Sequence, residues 1–279
     1  MGFEWSLNPY MGCVHRCAFC YVRGFEHRAD RPSDDRYGTS IRVKVNIVEQ
    51  LRAELARSSW TRPFVLIGAA TDPYQPAEGT YRLTRGCLAA LAAARNPFGL
   101  ITRGTLIVRD IDVLVEASRR AKVTISFSIP TLDEEVWRVT EPTTPHPRQR
   151  LRALKRLVDA GVRAGVAMAP LLPGLSDTPE RIETVVKAAR DAGAVSLWGG
   201  LVNLRPGTRE HFMTVLDKYW PELLPRYREL FENRSYLPRD VTSPVSDTVN
   251  ELKRRHGIAD RREVRLAPPE EPAQMQLDL

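Results

Sequence analysis

Cysteine is scarce in this chain, with four in 279 residues. A disulfide framework is therefore not what holds it together; that would also need an oxidising compartment. Long apolar runs are missing too. None approaches the roughly 18–20 residues that a bilayer-spanning helix needs. The opening residues lack the charged-then-apolar layout of a secretory leader. A cytoplasmic location is the resulting expectation. Acidic residues are outnumbered, 34 Asp and Glu against 41 Lys and Arg, for a net charge of +7. Such a balance favours polyanionic partners through phosphate contacts, or it is only a soluble basic surface. The densest basic stretch is Arg254-Arg255-His256 with Arg261-Arg262. No RRM, zinc-finger or helix-turn-helix pattern accompanies it, so nucleic acid is a candidate partner without a recognisable reading module.

Three of the four cysteines stand together. Cys13, Cys17 and Cys20 form a C-x3-C-x2-C loop. Iron–sulfur clusters are held by cysteine thiolates, usually four. Three at this spacing can curl round a cubane 4Fe-4S cluster and leave one iron open to a small molecule. Phe19, just before the third cysteine, is placed to shield the cluster or pack on whatever binds it. A structural zinc site is the competing reading. It would need His15 as fourth ligand, without the two separated pairs that zinc sites usually show. In that case the chain would be a zinc-bearing nucleic-acid-binding protein.

The loop with its aromatic resembles the signature of the radical S-adenosylmethionine (radical SAM) superfamily. Three further words, Asn8-Pro9-Tyr10-Met11-Gly12-Cys13, Thr71-Asp72-Pro73-Tyr74-Gln75-Pro76 and Pro170-Leu171-Leu172-Pro173-Gly174-Leu175, resemble the branch related to spore photoproduct lyase. The resemblance implies a partial barrel of β/α units and a 4Fe-4S cluster with S-adenosyl-L-methionine as cofactors. It also implies reductive cleavage of that cofactor to a 5′-deoxyadenosyl radical that takes hydrogen from a substrate. A flavodoxin- or ferredoxin-type electron donor would be a partner.

The patterning agrees on an α/β class. Segments 64–68, 100–102, 123–129, 162–169 and 194–202 read as strands, each followed by a turn and a helical pattern. Ile47, Leu51 and Leu55 line one helix; Leu88 and Leu91, and Leu114 with Ala121, mark two more. Leu151, Leu154, Leu157 and Val158 make another, stopped by Gly161. Ile182, Val185, Val186 and Ala189 make a fifth, opened by Thr178-Pro179 and closed by Gly193. With a strand ending just before Cys13, six units result, a partial (β/α)6 TIM-like barrel. A closed eight-unit barrel typically needs ~250 residues. Residues 1–205 are the expected barrel core and 206–262 a helical C-terminal extension. Helices at 220–231 and 243–255 are placed over the barrel mouth or bottom. Residues 263–279 form a Pro/Glu/Gln-rich tail expected to be disordered.

In parallel β/α folds the loops after the strands converge on one face. Candidate cofactor-binding residues fall there: Phe19, Thr71, Asp72, Thr102, Arg103, Ser126, Ser128 and Ala169. Arg103 offers a fixed cation for the cofactor carboxylate. Thr71 and Asp72 can accept from its amine. Ser126 and Ser128, two apart on a strand, share a face and can reach the ribose. Phe19 and the backbone near Ala169 can flank the adenine. Tyr74, Trp198, Arg205 and Arg138 are expected in the walls of the substrate site.

The resemblance has a gap. In spore photoproduct lyase a cysteine just before the Ser/Thr-Asp pair returns hydrogen to the product radical, and here Ala70 stands there. The remaining cysteine, Cys87, sits among Leu and Ala and reads as packed core. Lesion repair is therefore not carried over with the fold; it stays an alternative beside an unidentified substrate. The last six residues, Gln274-Met275-Gln276-Leu277-Asp278-Leu279, resemble the peptide that docks on the bacterial sliding clamp. Gln274, Leu277 and Leu279 would be its anchors.

Overall fold

The computed structural model describes residues 4–258. Six strands form one parallel sheet: β1 (Trp5–Leu7), β2 (Val65–Ile67), β3 (Phe98–Thr102), β4 (Val123–Ser128), β5 (Ala164–Leu171) and β6 (Leu197–Leu201). They lie side by side in chain order, every pair parallel. Among the described residues no ladder joins β6 back to β1. The sheet is thus an open, partial barrel, as the six-unit pattern predicts. Its strands read as apolar runs because both faces are covered. In β2, Val65, Leu66 and Ile67 are all buried. In β4, Val123, Ile125 and Phe127 face one side and Ser126 and Ser128 the other.

The connecting helices bury Leu88, Leu91, Leu114, Leu154, Val185 and Val186 against the strands in one continuous core. Their ends follow local chemistry. The Thr178 side chain accepts from the Arg181 N–H at 3.4 Å, with Pro179 in the first turn of helix Pro179–Asp191. Gly161 and Gly193 sit just beyond helix ends at φ +84° and +81°, the left-handed stop that glycine supplies.

The first crossover departs from a simple β/α unit. After the cysteine loop comes a short helix, Arg23–Arg28. A two-stranded ribbon, Tyr10–Met11 paired with Arg42–Val43, then ties residues 29–41 back to the loop. Helix Ile47–Leu55 follows.

The chain after β6 divides its work. Helices Thr208–Tyr219 and Leu224–Phe231 build a second apolar core with Cys17, Phe19, Leu172 and Val202. They pack against the cysteine loop. Helix Arg239–Arg255 covers neither mouth nor bottom. It lies on the outer face of β6, where a Cβ at Gly199 would come 3.0 Å from Val249 Cγ2. The expected helix at 220–231 is broken, a 3-10 turn (Pro221–Leu223) preceding Leu224–Phe231. No helix among the described residues is long and apolar enough to cross a membrane. The expected tail, Arg261-Arg262 and the clamp-like peptide of Gln274, Leu277 and Leu279 lie outside the described residues.

Candidate functional site

The cysteine loop leaves β1 and folds through successive tight turns. The N–H of Arg16 donates to the Cys13 carbonyl at 3.3 Å, that of Cys20 to Cys17 at 3.2 Å, and that of Arg23 to Cys20 at 3.0 Å. Cys13 and Cys17 are buried, Cys20 is half-buried, and none is in a disulfide. All three line one cavity, with Tyr37, Thr71, Asp72, Thr102 and Arg103 around it.

Neighbouring loops hold this backbone from two sides. Gln75, fully buried, donates through Nε2 to the Gly12 carbonyl at 3.2 Å and accepts from the Val14 N–H at 3.1 Å, bracketing Cys13. Thr71 Oγ1 donates to the same Gly12 carbonyl at 2.6 Å. Across the loop, the Ala18 N–H donates to the Thr140 carbonyl at 2.8 Å, and Thr143 Oγ1 donates to the Val14 carbonyl.

The donor chemistry suits an iron–sulfur cluster. Three unbridged sulfurs face one cavity. His15, the fourth ligand in the zinc alternative, lines the same cavity as the three cysteines. Its Nδ1 lies 3.3 Å from the Thr143 carbonyl, and its Nε2 lies 3.3 Å from Asp72 Oδ2 without hydrogen-bond alignment. Burial pushes the Cys17 thiol up to about 12 despite the opposing pull of Arg103. Burial raises Cys13 as well, with Asp72 adding to it. Loading the thiols with metal must therefore expel their protons.

Asp72 is a hub. Oδ1 accepts from Thr102 Oγ1 at 2.6 Å and from the Tyr74 N–H at 2.8 Å; Oδ2 accepts from the Arg103 N–H at 2.6 Å. Desolvation would raise its pKa, but His15 and these donors together hold it well below the usual carboxylate range. With both oxygens engaged by the protein, Asp72 fixes the starts of the loops after β2 and β3. Thr71 is likewise engaged by Gly12 and by Gln75 Nε2, the latter at 3.0 Å.

Arg103 belongs to a buried triad. Its Nε donates to Glu141, and Arg150 Nη1 reaches the other Glu141 oxygen at 3.0 Å. The Glu141 and Arg150 side chains are fully buried, and that of Arg103 is 19 % exposed. Two cations share one anion, so a positive charge is left beside Cys17. Both arginines hold Glu141 below its usual range against desolvation. Arg150 also donates to the Ser128 carbonyl at 2.7 Å, which ties the triad to β4. Among the described residues no protein acceptor meets the Nη atoms of Arg103, and the side chain lines the cavity while its guanidinium lies 5.6 Å from the Phe19 ring centroid.

A larger cavity of ≈ 230 Å³ adjoins the first and shares Cys17, Cys20, Tyr21 and Arg103 with it. Phe19, Ser128, Ala169, Trp198 and Asn203 line it. Ser128 Oγ donates to the Ala169 carbonyl at 3.0 Å. The Trp198 Nε1 is buried without a partner.

Some sequence-based expectations fail here. Ser126 is buried on β4 but lines neither cavity. Of the four expected wall residues only Trp198 is in place. Tyr74 turns its hydroxyl to Asp110 Oδ2 at 3.0 Å, inside a buried polar network. Arg138 pairs on the surface with Glu134 at 3.1 Å, one helical turn away. Arg205 stacks on Phe25 and Tyr236 outside the cavity. Cys87 is fully buried in the main core, as its Leu/Ala surroundings suggest. Gln75, Glu141, Arg150, Arg23 and Tyr37 were not singled out from sequence. Gln75 and Glu141 act through partners distant along the chain, Val14 and Arg103, and Arg23, Arg150 and Tyr37 through nearer ones, Cys17, Glu141 and Cys20.

Comparison with known proteins gives a consistent picture. A family model described as "Radical SAM superfamily" matches residues 7–182. An uncharacterised protein of Mycobacterium tuberculosis is 37% identical over 268 residues, covering 96% of this chain and 78% of its own length. An uncharacterised protein of Acidianus two-tailed virus is 29% identical over 224 residues, covering 76% of this chain and 71% of its own length. Among solved structures, a spore photoproduct lyase mutant with bound AdoMet and dinucleoside spore photoproduct superposes with a TM-score of 0.70. Its identity is 17%, over 92% of this chain and 75% of that one. Streptococcus suis SuiB bound to S-adenosylmethionine gives a TM-score of 0.53 at 12% identity, over 92% of this chain and 49% of that one. At such identities these likenesses show the fold alone.

Proposed function

Because the chain belongs to the radical SAM superfamily and is therefore an enzyme, we propose that Cys13, Cys17 and Cys20 hold three irons of a 4Fe-4S cluster and that S-adenosyl-L-methionine completes the fourth. The observation that carries this is the shared cavity: three unbridged sulfurs with the unsatisfied edge of Arg103 among them. When bound, the two cofactors together supply reductive cleavage of a C5′–S bond and a 5′-deoxyadenosyl radical for hydrogen abstraction.

The protein's own residues then have distinct tasks. Arg103, aimed by Glu141, takes the cofactor carboxylate as a charge-assisted pair. Asp72 and Thr71 act one step back, holding the loops in register. Phe19 and Ala169 flank the adenine, and Ser128 stands at the ribose side. The surplus charge of the Arg103–Glu141–Arg150 triad offsets the negative thiolates. Helices Thr208–Tyr219 and Leu224–Phe231 pack against Cys17 and Phe19 and support the loop.

The substrate is unidentified, and nucleic acid is the candidate class on charge. Ala70, where spore photoproduct lyase carries its hydrogen-returning cysteine, argues against photoproduct repair. Anaerobic reconstitution tests the proposal. A brown protein with about four irons that releases 5′-deoxyadenosine on reduction supports it. A colourless protein with one zinc and no such product overturns it. Turnover of a dinucleotide photoproduct would instead favour repair.

A further inference from the structure

Radical SAM enzymes need an electron from outside, and the outer side of the cysteine loop has the build of an entry point. The Cys20 Sγ lies 3.5 Å from the Tyr37 hydroxyl. Tyr37 is itself buried, 2% exposed, with the Arg23 guanidinium 4.6 Å from its ring centroid. Arg23 keeps this segment on the loop. It donates to the Cys17 carbonyl at 3.2 Å and to the carbonyls of Ser33 and Asp34, both at 2.7 Å.

The other side of Tyr37 faces a basin of ≈ 290 Å³ that opens to solvent. The basin and the cysteines are separated by little more than backbone. Gly38 (φ +76°) lies so close that a Cβ there would come 2.2 Å from the Cys13 carbonyl. Gly12 (φ +82°) would put one 2.8 Å from the Ser40 carbonyl. Any side chain at either place would thicken the wall or push it out.

The rim of the basin is basic. Arg31, Arg36 and Arg42 line it against a single acid, Glu26. Residues 16–44 hold seven Arg and Lys against four Asp and Glu. Arg36 is 70% exposed and pairs only with exposed Asp34; Arg42 has no ion pair among the described residues. No exposed aromatic lines the basin for base stacking, which sets it apart from a single-strand nucleic-acid groove.

We propose that this basin, between Gly12 and residues 31–42, is the docking surface for an acidic one-electron carrier protein, with Tyr37 as the wall between the carrier's redox centre and the Cys20 sulfur. This rests on the cofactor assignment above. The step transfers one electron from the reduced carrier to the oxidised iron–sulfur centre, with no atom exchanged. A small contact with a charged rim suits such an encounter: redox complexes fall below about 1,200 Å², and complementary charge governs their on-rate.

The test uses the anaerobically reconstituted full chain and purified, acidic flavodoxin. Binding is titrated calorimetrically, and S-adenosyl-L-methionine cleavage is driven either by reduced flavodoxin or by dithionite. R36E/R42E is expected to weaken flavodoxin binding by about tenfold or more and to slow flavodoxin-driven cleavage by a similar factor. R42Q is the milder variant, with a loss of about threefold. Both should keep dithionite-driven cleavage at the wild-type rate. Unchanged flavodoxin binding in R36E/R42E, no binding by the wild type, or equal losses with both reductants would overturn the assignment. So would a DNA oligonucleotide that binds the wild type and loses affinity in the variant while flavodoxin does not. Absence of dithionite-driven cleavage in the wild type would instead sink the cofactor assignment.

Discussion

Replacing Glu141 with Gln exchanges one oxygen for nitrogen and keeps the side chain's shape, but it removes the anion that two arginines share. Glu141 and Arg150 have no exposed surface, and Arg103 is mostly covered. Arg150 cannot regain water without opening the loops after β3 and β4. Breaking a buried ion pair by removing one partner costs about 3–5 kcal/mol, because a charge stays behind uncompensated. For a domain of this size each kcal/mol moves the melting temperature by about 2–4 °C, so Glu141→Gln should lower it by about 6–20 °C. Calorimetry of the metal-free protein isolates this effect from cluster loading. A double-mutant cycle with Arg150→Met adds a sharper criterion. Removing the second cation should give back part of the loss, so the double mutant loses less than the sum of the two single losses. A shift under about 2 °C for Glu141→Gln, or strict additivity in the cycle, would refute the claim that the triad carries net positive charge at Cys17.

Four further outcomes follow. Stability should fall on acidification from pH 6.5 toward 4. Burial, with Arg23 adding to it, holds His211 down to about 4 against the weaker opposite pull of Asp35, so the unfolded chain takes a proton that the fold refuses. Thermal melts of His211→Gln should show a flatter slope in that window; an unchanged slope would count against it. Below the ordinary carboxylate range Asp72 and Glu141, both depressed in the fold, should steepen the loss, visible as a second drop in the same melts. Cys17→Ala should abolish cluster loading by iron analysis, whereas Cys87→Ala, a fully buried residue away from both cavities, should load normally and lose only ~1 kcal/mol in denaturant unfolding. Gln75→Ala strands the Val14 N–H, while Thr71 Oγ1 still serves the Gly12 carbonyl, at a cost of about 1–3 kcal/mol. It should also lower the iron retained after gel filtration, while retention equal to wild type would deny it the role of a brace.

The inner strands were legible from their pattern, an apolar run at Val65-Leu66-Ile67 in β2 and an alternation of apolar with Ser/Thr residues over Val123–Ser128 in β4, whereas β1 is short and exposes Trp5. The cysteine loop was legible because a single motif carries it. What surrounds the loop was not. Gln75 meets Val14 across sixty-one residues, and Arg103 meets Glu141 across thirty-eight; no local pattern marks such pairs. Helix Thr208–Tyr219 escaped notice because its buried face is only Thr208, Phe212 and Leu216. The misplaced wall residues share one cause: Tyr74, Arg138 and Arg205 lie near the right loops in sequence, but each found a partner outside the cavity, Asp110, Glu134 and Tyr236 respectively.

The most direct measurement is electron paramagnetic resonance of the reduced, reconstituted protein, with and without S-adenosyl-L-methionine labelled at its carboxylate and amine. A signal that shifts on addition and shows hyperfine coupling to both labels is expected from an iron without a protein ligand beside Cys13, Cys17 and Cys20. A cluster signal indifferent to the labelled molecule would show that all four irons are already held, and would contradict the assignment.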